Sequence, residues 1–328
     1  MTNRNERGYC VDHKIDRMRK ISVNGVQLNV TEIPHRLPRR AIDDRRQPTP
    51  IVFIHGLAAS SAFWYGAGVN FISLLGPCFL YDLRGHGKSE TPESGYRVED
   101  LAGDLIALMD ERGIKKAHII GHSFGGMIAL KIAISNPERV ESLVLADVRL
   151  RQIQTDFHVS SYDVSSCVKK RLKEIGIDAQ DISRNDDGVG YLKTIAQIEA
   201  HAGDDAESLI HALYRHSRVF RSRRSALRWL SLVEKTAFMK DLDISRTFDQ
   251  NDLEKLKIPL LILVGGESPV LPSARTLTRL CPHAIYREIP NVGHFFPLSH
   301  PKRFLIPTMR FLRAVIRRDP RISAIPKF

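Results

Sequence analysis

Residue types suited to acyl transfer occur here in settings that would aim them at one point. Ser123 lies in Ile119-Ile120-Gly121-His122-Ser123-Phe124-Gly125-Gly126, which reads as a strand, a Gly-x-Ser-x-Gly turn and the start of a helix. So tight a turn needs small flanking residues, and it holds the serine hydroxyl at a helix N-terminus, where partial positive charge favours a developing oxyanion. The pattern alone is short, but an apolar strand leads in (His118 to Ile120) and a helix leads out (Met127 to Ser135). A serine nucleophile also needs a base, and His294 stands in a loop after a strand, in Ile289-Pro290-Asn291-Val292-Gly293-His294-Phe295. Upstream, Ile51-Val52-Phe53-Ile54-His55-Gly56-Leu57 runs from a strand into a loop. The Leu57 amide is placed there to join that of Phe124 as a two-donor oxyanion hole.

These motifs, in this order and with Tyr81-Asp82-Leu83-Arg84-Gly85-His86-Gly87-Lys88-Ser89 between them, make the chain resemble the α/β-hydrolase superfamily over roughly residues 48–147 and 256–315. The resemblance implies an α/β fold: a mostly parallel eight-stranded sheet flanked by helices, with an inserted helical cap. It implies Ser123 as nucleophile, His294 as base, and Leu57 and Phe124 as oxyanion donors, and it makes the run around Arg84 structural.

The third triad member departs from the family pattern. The histidine needs a carboxylate to fix its tautomer and stabilise the imidazolium. At the usual acid position, in Leu261-Ile262-Leu263-Val264-Gly265-Gly266-Glu267-Ser268, stands Ser268, which carries no charge at pH 7. Asp147, 24 residues beyond Ser123 at the end of the following strand, is the favoured acid, since haloalkane dehalogenases of this superfamily place theirs there. Adjacent strand ends can reach the same imidazole nitrogen. Glu267 is the alternative, and requires the loop to shift by one residue.

His55 and His122, inside the motif loops, are expected to orient backbone or to line the pocket floor, and Ser60 and Trp64, just past the oxyanion loop, to contact substrate. His300 reads as an exposed helix start. No His-x-x-x-His, Cys-x-x-Cys or acidic calcium loop suggests a metal, no phosphate loop suggests a nucleotide, and the chemistry requires no cofactor.

Strands are expected at 51–54, 78–81, 116–120, 140–146, 258–264 and 285–289, with helices at about 60–74, 98–112, 124–135 and 302–316. A hairpin over 20–33 turns at Asn24-Gly25. Residues 1–47 thus form a hairpin and basic loop, and 48–149 with 251–328 form the core. Residues 150–250, where strand signals give way to helical segments (164–175, 190–202, 206–220, 225–235), form the cap. Aromatic and apolar residues of that stretch, among them Tyr162, Tyr191, Phe220, Trp229 and Phe238, are expected chiefly to pack its own core.

The 328 residues, 43% apolar, can bury a large core. Four scattered cysteines, with a polar N-terminus and no apolar span, point to a cytoplasmic protein without a membrane partner. The net charge of +12 gathers in 36–46 and in Arg215, Arg218, Arg221, Arg223, Arg224 and Arg228. Arg221, Arg224 and Arg228 would share a helical face able to steer an anionic or carrier-bound small-molecule substrate. Without a binding fold or aromatic platform, that charge does not indicate nucleic acid.

Overall fold

The computed structural model describes residues 16–36, 48–151, 153–154, 165–178, 188–214, 220, 222–242 and 249–318. Eight strands form one sheet: β1 (Arg17–Val23), β2 (Val26–Ile33), β3 (Ile51–Ile54), β4 (Cys78–Tyr81), β5 (Ala117–His122), β6 (Val140–Ala146), β7 (Leu260–Gly265) and β8 (Ile285–Ile289). Their order is β1-β2-β4-β3-β5-β6-β7-β8, with β1 and β2 antiparallel and every pairing from β4 to β8 parallel. A parallel sheet must be covered on both faces, and the strands read accordingly. In β3, Val52 and Ile54 enter one core layer while Ile51 and Phe53 enter the other.

Helices α1 (Ala62–Gly66), α2 (Val69–Ile72), α3 (Val98–Glu111) and α4 (Phe124–Ser135) fill the crossovers. The helix expected over 60–74 is broken in two, because Gly68 adopts a left-handed φ of 88° that ends one turn and caps the next. Helix α3 buries Leu101, Leu105 and Leu108 at helical spacing beneath one face of the sheet. Between β6 and β7 all regular elements among the described residues are helical: α5 (Ser166–Glu174), α6 (Gly188–His201), α7 (Ala206–Tyr214), α8 (Arg223–Lys235), α9 (Phe238–Asp241) and α10 (Gln250–Glu254). Leu213, Phe220, Trp229 and Phe238 are buried there as expected, whereas Tyr162 lies outside the described residues. Helix α11 (Leu271–Leu280) was not anticipated. After it come α12 (Phe296–Ser299) and α13 (Pro301–Ile316), which buries Phe304, Leu305, Thr308, Phe311, Leu312 and Val315 on the other face of the sheet.

The expected arginine face falls only partly within the described residues. Helix α8 begins at Arg223 with Ser222 as its N-cap, and Arg215, Arg218 and Arg221 lie outside the described residues. Arg223 donates from Nε to the Ala200 carbonyl at 2.8 Å, and Arg228 donates to the Ser89 carbonyl. Both cations therefore brace the insertion, Arg228 against the core loop after β4. Among the described residues no helix is long and apolar enough to cross a membrane.

Candidate active site

The turn after β5 positions Ser123. Its backbone adopts φ 53° and ψ −124°, an unfavourable conformation for a residue with a Cβ. It is held by a bond from Ser123 N to the Ala146 carbonyl (3.0 Å) and by close packing of the turn on β3. A Cβ on Gly125 would come within 2.3 Å of the Ile54 carbonyl oxygen, so that position admits only glycine. The parallel register continues the ladder outward: His122 pairs with Ala146, and Ala146 with Leu263. Residue 147 is therefore the first beyond β6, where its amide donates to the Leu263 carbonyl (2.8 Å).

Asp147 is fully buried, at a left-handed φ of 56°. Its Oδ1 accepts from the Gly265 amide at 2.7 Å, and its Oδ2 accepts from the Ser268 hydroxyl and from His294 Nδ1, the latter at 2.6 Å. Three donors on one carboxylate offset the cost of burying its charge. On the far side of the ring, His294 Nε2 accepts from Ser123 Oγ at 3.0 Å. With Nδ1–H directed to the carboxylate, the lone pair of Nε2 faces the serine, which is the tautomer a general base requires. Glu267 is exposed, and its amide donates to the Val292 carbonyl at 3.0 Å, so the alternative acid is not brought to His294. The serine standing where an acid usually stands still joins the site as a donor to the relocated carboxylate. Sequence reading missed that role, for which Ser268 beside the ends of two neighbouring strands was the signal.

The cavity above Ser123 has a volume of about 240 Å³ and is lined by Leu57, Phe124, His122 and His294, with Met127, Val189, Tyr191, Leu192, Met239, Val270 and Phe295 supplying apolar wall. Arg149 and Arg151 also line it. Neither the Leu57 nor the Phe124 amide donates to an acceptor among the described residues, and both residues flank the serine.

A profile of the alpha/beta hydrolase fold family matches residues 49–301. The chain belongs to the α/β-hydrolase family. RutD of Caulobacter vibrioides is 34% identical over 275 residues, covering 80% of this chain and 89% of RutD. The sn-1-specific diacylglycerol lipase ABHD11 of Danio rerio is 27% identical over 290 residues, covering 86% and 84%. Among solved structures, the haloalkane dehalogenase DbeA of Bradyrhizobium elkanii superposes with a TM-score of 0.62 at 19% identity, covering 93% of this chain and all of that one.

As in the resemblance read from sequence, the Arg84 run of this α/β-hydrolase is structural. Arg84 grips buried Asp104 with two bonds, Nε to Oδ2 (2.7 Å) and Nη2 to Oδ1 (2.6 Å). Asp82 accepts from the amides of Ser61 (2.7 Å) and Lys88 (2.8 Å) and so ties the loop after β3 to the loop after β4. Two of the expected substrate contacts are corrected, and His55 is not in the cavity wall. Trp64 is wholly buried, its ring 5.1 Å from Phe53, 5.0 Å from Phe63 and 5.9 Å from Phe304, because α1 turns it into the core. Ser60 is not part of the cavity wall, which Ala59 supplies instead; the Ser60 carbonyl caps α1 by accepting from the Phe63 amide at 2.9 Å. His55 is buried beneath the loop, with Nδ1 on the Gly56 carbonyl (2.8 Å) and Nε2 accepting the Leu83 amide (3.0 Å). It orients backbone, one of the two roles read for it.

His122 does line the cavity, stacked on Phe63 at 4.6 Å, and its Nε2 donates to the His294 carbonyl at 3.0 Å. Burial, then the neighbouring His294, holds its pKa well below the usual histidine range, so it stays neutral. Burial likewise lowers the pKa of His55, and lowers that of His86 to about 3.

Proposed function

We propose that this α/β-hydrolase is a serine hydrolase that cleaves a small-to-medium carboxylic ester, or a related amide or lactone, through an acyl-serine intermediate. The observation that carries this reading is the hydrogen-bonded chain from Ser123 Oγ through His294 to the buried Asp147 carboxylate. In the first half-reaction Ser123 Oγ attacks the carbonyl carbon and its proton passes to His294 Nε2. Asp147 keeps Nδ1–H in place and stabilises the imidazolium, while the Leu57 and Phe124 amides receive the oxyanion. The proton then moves from Nε2 to the leaving alkoxide, and the alcohol departs. Water enters, gives a proton to His294 Nε2 and adds to the acyl carbon; the proton then passes from Nε2 to Ser123 Oγ as the C–O bond to the serine breaks, releasing the carboxylic acid and free Ser123.

Substrate selection follows from the helical insertion, which we read as a cap over the serine. Val189, Tyr191, Leu192 and Met239 bring its helices to the cavity wall, which suits an apolar acyl group. The volume of about 240 Å³ favours a compact acyl chain. Arg149 and Arg151 on the same wall favour a substrate carrying negative charge, the reading first suggested by the net charge. The relative named as a lipase is in keeping with ester chemistry.

The test is incubation with a fluorophosphonate and with short-chain nitrophenyl esters, followed by intact mass and by a Ser123→Ala control. One adduct on Ser123 and repeated turnover, both absent in Ser123→Ala, are expected. Adduct formation without steady-state turnover would instead identify a ligand receptor built on this fold, and turnover surviving in Ser123→Ala would remove the acyl-serine route.

A further inference from the structure

Helix α9 (Phe238–Asp241) has four residues, too few to hold their shape in water, so what grips it decides where it lies. Helical spacing gives it two faces. Met239 and Leu242, three apart, line the Ser123 cavity, and Met239 stays 48% exposed. Phe238 and Asp241, also three apart, turn instead onto the loop between β4 and α3.

That loop is shaped to receive them. Arg84, locked by its two bonds to Asp104, places Nη1 where a Cβ on Gly95 would stand, so this position admits only glycine, at φ 88°. Beyond the bend, the amides of Gly95 and Tyr96 both donate to one oxygen, Asp241 Oδ2, at 2.7 and 3.1 Å. At the start of α9 the Ala237 amide donates to the Glu93 carbonyl at 2.7 Å, and Thr236 Oγ1 accepts from the Phe238 amide at 3.1 Å. The Phe238 ring meets buried Tyr96 edge-on at 5.5 Å and Trp229 at 5.4 Å. Ala237 and Phe238 thus fix the start of the helix. Its end, one residue before Leu242, is fixed by the charge-assisted bonds of Asp241, whose side chain is no part of the cavity wall.

We propose that Asp241 is a positioning residue for acyl-chain selectivity: by accepting from Gly95 and Tyr96 it holds α9 at the depth where Met239 and Leu242 close the cavity over a short chain. The proposal rests on the reading of the Ser123 cavity as the acyl site. Without the carboxylate the end of α9 is released, the wall recedes and a longer chain gains room. Ser123, His294 and Asp147 are carried by other elements and keep their places.

The experiment measures kcat and KM for nitrophenyl butyrate and octanoate in the native chain, Asp241→Ala, Asp241→Asn, Met239→Ala and the double variant Asp241→Ala/Met239→Ala. In Asp241→Ala the ratio of kcat/KM, butyrate over octanoate, should fall at least tenfold through KM, with kcat for butyrate within twofold. Asp241→Asn should restore the ratio to within threefold, since an amide oxygen can accept from both backbone amides. Met239→Ala should also lower the ratio, and the double variant should go little further than Asp241→Ala, because both act through one wall. An unchanged ratio in Asp241→Ala, an equal loss for both esters, or a double variant whose two effects multiply would each overturn the proposal. Dissociation constants of methyl butyrate and methyl octanoate on Ser123→Ala protein, with and without Asp241→Ala, read the same ratio without chemistry. A tenfold shift there in the absence of any native turnover would uphold the role of Asp241 while the acyl-serine reading failed. No shift there would overturn it.

Discussion

The two flanks of Ser123 handle charge in opposite ways. Toward β6 and β7, a fully buried carboxylate is surrounded by donors from Gly265, Ser268 and His294. Toward β3 and β4, three buried histidines, His55, His86 and His122, are pressed neutral and used as rigid hydrogen-bonding wedges. His294, between the two, keeps 23% of its side chain exposed and has the carboxylate on one nitrogen. The same residue type is thus a spacer on one flank and a proton carrier, by our reading, at the junction. Partner and burial decide, not identity.

Breaking the charged flank should have the largest effect. Asp147→Asn leaves the packing in place but offers His294 the wrong hydrogen-bonding partner, and turnover of nitrophenyl ester should fall by about 10⁴. Glu267→Gln should leave the rate unchanged; the reverse pattern in the two variants would move the acid to the end of β7. On the neutral flank the damage should be to stability alone. Trp64→Ala removes the indole beneath Phe63 and His122 and should cost about 3–5 kcal/mol in urea unfolding with KM unaltered. A changed KM at intact stability would return Trp64 to the substrate.

The neutral flank also predicts acid sensitivity of a definite sign. His86, and His118 within strand β5, are lowered from 6.5 to about 3 and about 4 by burial. In each case the unfolded chain takes up its proton first as pH falls, so the stabilising difference is present above pH 6.5 and is lost progressively below it. Each should contribute a slope of about 1.4 kcal/mol per pH unit between its folded and unfolded pKa values. Urea midpoints measured from pH 7 down to 4.5 should fall, and less steeply in His86→Asn; a flat profile would refute the neutral assignment. The smallest effect is expected at Ser268→Ala, which removes one of three donors to Asp147 and should slow turnover about tenfold, the rate equivalent of about 1.4 kcal/mol.

What sequence made legible was local. Gly-x-Ser-x-Gly, the strand before His55-Gly56 and the loop ending in His294 each encode their own backbone, so fold class and the residues meeting at Ser123 were readable. Asp147 was readable too, because Ser268 could not supply the charge. Direction was not: Trp64 follows Leu57 by seven residues, but a helix one and a half turns long faces it inward. Nor could spacing show that Arg228 is held by the Ser89 carbonyl, since that contact joins segments 139 residues apart. Helix α11, which no motif marked, opens with Pro272 near its start, where a proline suits the first positions of a helix.

Four residues other than glycine take a positive φ around the site: Ala58 in the loop after β3, Ser123, Asp147, and Asn291 in the loop that carries His294. Each such position typically costs about 1–3 kcal/mol, held down by the packing around it. For directed evolution this sets two selections against each other. Selection for heat resistance alone should drive these four positions toward glycine, and each step would slacken a loop that aims a reacting atom. Libraries screened for survival at high temperature should therefore drift toward stable, silent proteins unless turnover is scored in the same round.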